Sequence, residues 1–435
     1  MAAPSLSTHF AGRNPSVIRL AQIEFAKRRD DTEALNVAIG NVSLPMHPAM
    51  QKRLRSLGEA PSPFADGVVK YSATVGLPET NAAFLNIIAS SGFATGGLHS
   101  QVTDGGSQAM ELVILGCCGP AGSDQRPLLL IDAAYTNYKA FAERLGRRTV
   151  SITRTLGDDG RFSLPSLAEI EEVIVRHRPG AMVVIPYDNP TGQFYDRGTF
   201  TSLARLCAEH GMWLVSDEAY RELHYVDQPA ASIWGLGENE VPGLAGRRIS
   251  IETASKVWNA CGLRIGALVT DNAEFHARAV AENTASLCSN SIGQWIFGGL
   301  AAESRADLQV WYGRQREYYR AMLTGLTGRL RELLPGIIVS RPDASIYSVV
   351  DVRDIAGAGF DALQFVLRCA RTGMVEVAGR PMTLLTAPMA GFYSVPKGAP
   401  NPGRTQMRIA YVEPPARMAL VPELLAGLLR QESAR

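Results

Sequence analysis

The chain has 435 residues, 46% hydrophobic and 20% charged, with 43 Lys and Arg against 42 Asp and Glu for a net charge of +1. That composition excludes a disordered chain, a collagen and a coiled coil, and a nearly neutral chain has no global field to attract nucleic acid or an acidic membrane, although a local basic pocket remains allowed. At about 150 residues per domain, the length predicts two or three domains.

The N-terminal MAAPSLSTHF has no basic region followed by an apolar one, so no signal peptide is expected. Residues 15–29 place apolar side chains at helical spacing. A Gly-rich turn, 105–108, precedes an apolar helix starting near Ala109. Continuous apolar runs at 127–132, 148–153, 181–186, 213–216, 248–252 and 265–270 predict buried strands, the kind a parallel sheet covered on both faces requires. None approaches the roughly 20 residues that span a bilayer. Helical patterns at 166–176 and 196–209 lie between them, so the strands belong to an α/β sheet. Beyond residue 305 the pattern changes: a long polar helix over 308–332, short strands at 337–340 and 346–351, a helix over 361–372 and an amphipathic run over 417–431. A large α/β domain over 60–305 is expected, with a smaller α+β domain made from 1–59 and 306–435. The six cysteines include no CxxC pair and no His partner at metal spacing. They predict reduced thiols in the cytoplasm and no metal site.

Four segments carry chemistry, all after strands, where ligands of open α/β sheets bind. In ISIETASKVWNACGLRIGALV, Lys256 follows a buried strand and Arg264 comes eight residues later. Lysine is rarely buried without a purpose. It is either a Schiff-base amine, its pKa lowered by burial beside cations, or a lysine snorkelling to the surface. In WLVSDEAY, Asp217 ends a strand and Tyr220 follows. That carboxylate either holds a cationic ring nitrogen or caps the next helix. In VVIPYDNPTGQ, Asn189-Pro190-Thr191-Gly192 is a turn signal, and Asn189 could equally donate a hydrogen bond into a site. In VTDGGSQAMELVILG, free N–H groups at a helix start, with the Ser107 hydroxyl, make an anion site, although the segment is neither a GxGxxG nor a Walker loop.

In this order and spacing the segments resemble the fold-type I pyridoxal-phosphate enzymes, and within them the class I/II aminotransferases. The resemblance runs from about Leu35 to the C-terminus. Its most specific part is the ordered set GGSQ, Y-x-x-Y, NPTG, SDEAY and SK-x7-R. It implies a mostly parallel, seven-stranded-type sheet in a large cofactor-binding domain.

The resemblance also implies roles. Lys256 matches the lysine that forms the Schiff base with pyridoxal 5'-phosphate and later carries the proton. Asp217 matches the partner of the ring nitrogen. Tyr220 and Asn189 match the two groups that bond the ring's 3-oxygen. Tyr135, in IDAAYTNY, matches the aromatic that stacks on the ring, with Tyr138 behind it; a core tyrosine is the other reading. Ser107, Gln108, Thr253, Ser255 and Arg264 match the phosphate cup. Tyr71 matches a tyrosine that reaches the phosphate of a neighbouring subunit, which implies a homodimer with shared sites; otherwise it is a surface loop residue. Arg408, in QMRIAYVEP, matches the arginine that forks onto the substrate α-carboxylate, its alternative being a salt-bridged strand residue. Gly40 matches a glycine whose backbone approaches that carboxylate.

Some positions depart from the usual pattern. Ala133-Ala134 stand where proline is common, Asp188 lengthens the segment before Asn189 by one residue, and Glu79-Thr80-Asn81 replace a frequent Glu-Leu-Arg. The resemblance implies transfer of an amino group from an L-α-amino acid to a 2-oxo acid. The alternative is a non-transaminating reaction on the same cofactor (elimination, replacement or cyclisation, as in aminocyclopropane-carboxylate synthases), on which GLPE at 76–79 also bears. A DNA-binding regulator built on this fold would need a basic helix-turn-helix, which the N-terminal segment lacks.

Overall fold

The computed structural model describes residues 4–396 and 398–433. In chain order its strands are β1 (Glu33–Asn36), β2 (His99–Thr103), β3 (Leu128–Asp132), β4 (Thr149–Thr153), β5 (Thr155–Leu156), β6 (Phe162–Ser163), β7 (Ala181–Val184), β8 (Trp213–Asp217), β9 (Arg248–Thr253), β10 (Gly266–Thr270), β11 (Ile338–Val339), β12 (Tyr347–Asp351), β13 (Val375–Val377), β14 (Arg380–Leu385), β15 (Ala387–Pro388) and β16 (Gln406–Ala410). Seven of them form the main sheet, in the order β2-β10-β9-β8-β7-β3-β4. β10 runs antiparallel to β2 and β9, and every other neighbouring pair is parallel. This is the mostly parallel α/β sheet that the apolar runs predict. Two smaller sheets, β1-β14-β13 and β11-β12-β16-β15, join the N-terminal segment to the C-terminal third, and β5-β6 is a separate hairpin.

The sequence reason for the main sheet is plain at β3. Leu-Leu-Leu-Ile-Asp has no alternation, and all five residues are buried, as are those of β7 and β10. Helices cover both faces of such strands. Gly105–Cys117 packs on β9 and β10, and Ala273–Asn283 on β2 and β10. Helix Leu167–His177 begins at a capping box, in which the Ser166 hydroxyl takes the Glu169 amide and the Glu169 carboxylate takes the Ser166 amide. The 29-residue helix Arg305–Leu333 packs on Pro78–Ser90 and on Val421–Ser433.

Some elements depart from the pattern reading. β2 (HSQVT) is too polar to stand out, and its burial comes from β10 and from the helices Pro78–Ser90 and Ala273–Asn283. The helix expected near Ala109 starts at Gly105, whose φ of +71° turns the chain straight out of β2. That turn needs space. A Cβ on Gly266, the first residue of β10, would lie 2.5 Å from the Gly105 carbonyl carbon and 2.7 Å from the Gly106 nitrogen. Gly266→Ala is therefore expected to cost about 1–3 kcal/mol of stability, read as a lower denaturant midpoint at unchanged slope. An unchanged midpoint would mean that strand and helix start can separate freely.

Candidate active site

The parallel strands end along one edge of the sheet, and the loops leaving them meet there. β3 leads to Tyr135, β7 to Asn189, β8 to Asp217 and Tyr220, and β9 to Ser255 and Lys256. β10 runs the other way, so its beginning, with Arg264 just before it, reaches the same edge. These residues line one cleft of about 260 Å³, which Gly106, Ser107, Gly40, Tyr347, Arg408 and Arg19 complete.

At the centre, the Lys256 ammonium donates to the Gly40 carbonyl. Gly40 has no alternative here: a Cβ would lie 2.2 Å from the Tyr347 hydroxyl oxygen and 3.1 Å from Lys256 Nζ. Asp217 takes hydrogen bonds from two neutral donors, the Tyr138 hydroxyl at 2.5 Å and the Ala219 amide at 3.1 Å. Burial pushes its carboxyl up to about 6, and those two bonds offset the shift only in part. Beside it, Asn189 Nδ2 donates to the Tyr220 hydroxyl at 3.3 Å, which donates onward to the Tyr347 hydroxyl at 3.1 Å.

Arg408 enters from β16. It donates to Asn189 Oδ1 at 2.8 Å and to the Ala38 carbonyl at 2.7 Å, and its guanidinium carbon lies 4.4 Å from the centre of the Tyr347 ring. Its Nε is buried without a hydrogen-bond partner. An enclosed donor left open in this way suits an incoming carboxylate. Tyr135 meets Tyr138 edge-on, the ring centres 5.4 Å apart, and burial pushes its phenol up to about 12.

The other end of the cleft gathers groups that could hold an anion. Gly106 and Ser107 occupy the first turn of helix Gly105–Cys117, with its free amides. Thr253 and Ser255 bond each other through their hydroxyls at 2.8 Å. Arg264, at φ +55°, donates to the Cys261 carbonyl at 3.0 Å, and a Cβ on Gly105 would come within 2.5 Å of its guanidinium.

Eleven of the thirteen residues singled out from the sequence line this cleft. The side chain of Gln108 does not. The helix starts early enough for Gln108 to close its first turn, its amide oxygen taking the Asp104 N–H at 2.7 Å and its NH2 donating to Asn283 at 2.8 Å. Tyr71 stands on a loop outside the cleft of its own chain and is 79% exposed. Two residues escaped the sequence reading. Tyr347, in SIYSVVD, has no local signal. Arg19 lies on helix Val17–Phe25, whose spacing was legible although its place at the cleft mouth was not. Among the described residues, no group of three or more His, Cys, Asp and Glu could hold a metal ion, and no helix is long and apolar enough to cross a membrane.

An amine, an aromatic face, an anion cup and an enclosed carboxylate supplied only with neutral donors fit pyridoxal phosphate: an aldehyde, a flat ring, a phosphate and a ring nitrogen that carries a proton. The comparisons agree. The family model for aminotransferase class I and II matches residues 59–389. The chain is 26% identical over 322 residues to the aspartate/prephenate aminotransferase of Thermus thermophilus, covering 72% of this chain and 76% of that protein. It is 26% identical over 282 residues to an arginine–pyruvate transaminase of Pseudomonas aeruginosa (63% and 65%) and 28% over 250 residues to a 2-aminoadipate transaminase of Thermus thermophilus (57% and 58%). A solved single mutant of the Thermus thermophilus aspartate aminotransferase shares the fold, with a TM-score of 0.79 at 21% identity over 98% of this chain and 100% of that one. The chain belongs to the class I and II aminotransferases, a family of pyridoxal-phosphate-dependent transferases.

Proposed function

We propose that the protein moves an amino group from an L-α-amino acid with an acidic side chain to a 2-oxo acid, with Lys256 as the covalent anchor and proton carrier. The observation that carries the reading is the half-buried Asp217 carboxylate, with no cation paired to it among the described residues, in one cleft with the Lys256 amine. The cofactor, when bound, supplies an aldehyde for the amine and a protonated ring that accepts the electrons left at the substrate α-carbon. Asp217 keeps the proton on the ring nitrogen. Asn189 and Tyr220 hydrogen-bond the 3-oxygen, and Tyr135 packs on the ring. Ser107, Thr253, Ser255 and Arg264, with the helix amides, hold the phosphate. Arg408 takes the α-carboxylate, its open Nε adding a donor, and the backbone of Gly40 lies against that group. Lys256 Nζ would hold the cofactor's aldehyde and, when free, is the base in the cleft that would move the substrate α-proton.

The charge balance of the cleft favours an acidic side chain. The cleft is lined by four cations, Arg19, Lys256, Arg264 and Arg408, and one acid, Asp217. Three of the cations have work on cofactor or α-carboxylate. Arg19 is left over, exposed at the mouth, with no ion-pair partner among the described residues. Aspartate and 2-aminoadipate, named in two of the relatives, carry a second carboxylate. The exposure of Tyr71, beside Val68 and Val69 at 47% and 58%, supports a homodimer in which Tyr71 reaches the partner's phosphate cup. Six free thiols suit a reducing, cytoplasmic setting. A cofactor-binding domain over 60–305, with a smaller domain from 1–59 and 306–435, is supported by the division of the strands between the sheets.

Three measurements test this. Lys256→Ala should abolish the visible absorbance of the holoenzyme and its trapping by borohydride; absorbance that survives means the lysine is misassigned. Arg19→Ala should lower kcat/KM for aspartate, glutamate and 2-aminoadipate by about 10- to 100-fold, the scale of a lost charge-assisted bond, and leave alanine nearly unaffected. Equal losses on every donor would sink the acidic-substrate reading. In the same panel, a donor (S-adenosylmethionine included) consumed without the cofactor's amine form appearing would indicate elimination, replacement or cyclisation instead. The third concerns Asp217, whose carboxyl in the folded apoprotein is raised from 3.8 to about 6. Its contribution to apoprotein stability is then complete below about pH 4 and is lost as pH rises through 6. Asp217→Asn should gain in melting temperature relative to wild type across that window, while transamination falls at least about 10²-fold. Parallel melting curves would contradict the assignment.

A further inference from the structure

β3 and β7 are neighbours in the main sheet, yet they pair only at Leu128↔Ala181 and Leu129↔Met182. Their other partners stay with them further: β3 pairs with β4 as far as Asp132, and β7 with β8 as far as Val184. The two strands therefore part before the loops that carry Tyr135 and Asn189. No ladder sets the distance between the ring-stacking residue and the residue aimed at the ring's oxygen.

One buried side chain spans the gap. Arg154 follows β4, on the far side of β3, and is 1% exposed. Its backbone amide donates to the Asp132 carbonyl at 2.7 Å, and its guanidinium donates to the Ala133 carbonyl at 2.6 Å. The same guanidinium forks onto Asp188, at 2.9 and 3.2 Å. Asp188 Oδ1 also takes the Thr191 amide at 3.1 Å and hydroxyl at 2.6 Å, which holds the turn on which Asn189 sits. Neither Arg154 nor Asp188 lines the cleft. Ala133 and Asp188 are two positions at which the chain departs from the family's usual pattern, and Arg154 ties them together.

We propose that the Arg154–Asp188 pair is a positioning strut, which sets the width of the slot between the Tyr135 loop and the Asn189 turn and so the fit of the cofactor ring. Burial argues for geometry over stability. Removing two charges from water costs about as much as their attraction returns, and a neutral pair of similar size is often as stable. What a neutral pair lacks is the fork that reaches a carbonyl of one loop and both carboxylate oxygens of the other. The inference rests on the cofactor reading above. Wild-type protein that shows no visible band with pyridoxal phosphate defeats that reading and not this one in particular.

The test compares wild type with Arg154→Met/Asp188→Asn and with R154K, which keeps the charge and loses the fork. Apoprotein melting, cofactor dissociation constant, visible circular dichroism and the pH titration of the visible band are read on each. The expected result is an apoprotein that melts within a few degrees of wild type in the double variant, at least tenfold weaker cofactor binding and a changed visible dichroism in both, and a displaced titration. Variants that fold with cofactor affinity within twofold of wild type, unchanged dichroism and unchanged titration overturn the proposal. If the double variant does not fold, R154K decides; if neither folds, the pair is a requirement of folding and the strut is rejected.

Discussion

Among the described residues, no cation pairs with the carboxylate of Asp217. The buried arginines of this region face other groups. Arg154 faces Asp188, Arg221 lies 2.6 Å from both Glu218 and Glu252, and Arg408 is turned to Asn189 and the Ala38 carbonyl. The donors that do reach Asp217, a tyrosine hydroxyl and an amide, are neutral. A buried carboxylate in that situation holds its proton more tightly than in water, and a ligand that brings a protonated nitrogen relieves the burden. In the arrangement proposed above, the ring nitrogen of the cofactor would meet that electrostatic deficit. The rest of the cleft decides how the ligand is turned.

Orientation comes from the sheet. Because all but β10 run in one direction, their carboxyl ends present loops along one edge, and the antiparallel β10 starts where the others stop. The beginning of the helix after β2, the Thr253–Ser255 turn and Arg264 thus converge on one anion position, although they lie far apart in the chain. Gly105, Gly106 and Gly266 permit this approach, since side chains on Gly105 and Gly266 would fill the space that the helix start and Arg264 occupy. The side of the cleft proposed for the substrate draws on one of the smaller sheets. Tyr347 on β12 and Arg408 on β16 belong to neighbouring strands, whose ladder sets Ala410 opposite Tyr347 and Val349 opposite Arg408. Through Tyr220 and Asn189 these residues belong to one hydrogen-bond chain.

The buried arginines divide into kinds by what they face. Arg221, held between Glu218 and Glu252, and Arg154, held on Asp188, are enclosed and paired with carboxylates. Pairs of that kind bring specificity of arrangement more than net stability. Arg408 is different: it is as enclosed, but among the described residues no carboxylate pairs with it. Arg19 is different again, free and at the mouth. Pairing separates the arginines that organise the protein from those that remain available to a ligand.

Local chemistry was legible in the sequence. The apolar runs of the parallel strands, the helices between them and the punctuation at 105–108, 189–192, 217–220 and 255–264 depend on neighbours a few residues away, and strand ends in such a sheet are where ligands bind. The polar β2, the turned-away Gln108, the contact of Tyr347 with Tyr220, the place of Arg19 at the mouth and the reach of Arg154 across β3 could not be read. The burial of β2 and the reach of Arg154 follow from the strand order of the main sheet, β2-β10-β9-β8-β7-β3-β4, which departs from chain order, and the others from packing between elements far apart in the chain. Periodicity reports which face of an element is buried and is silent on what lies against it, so only the non-local pairing of strands decided which side chains share the cleft.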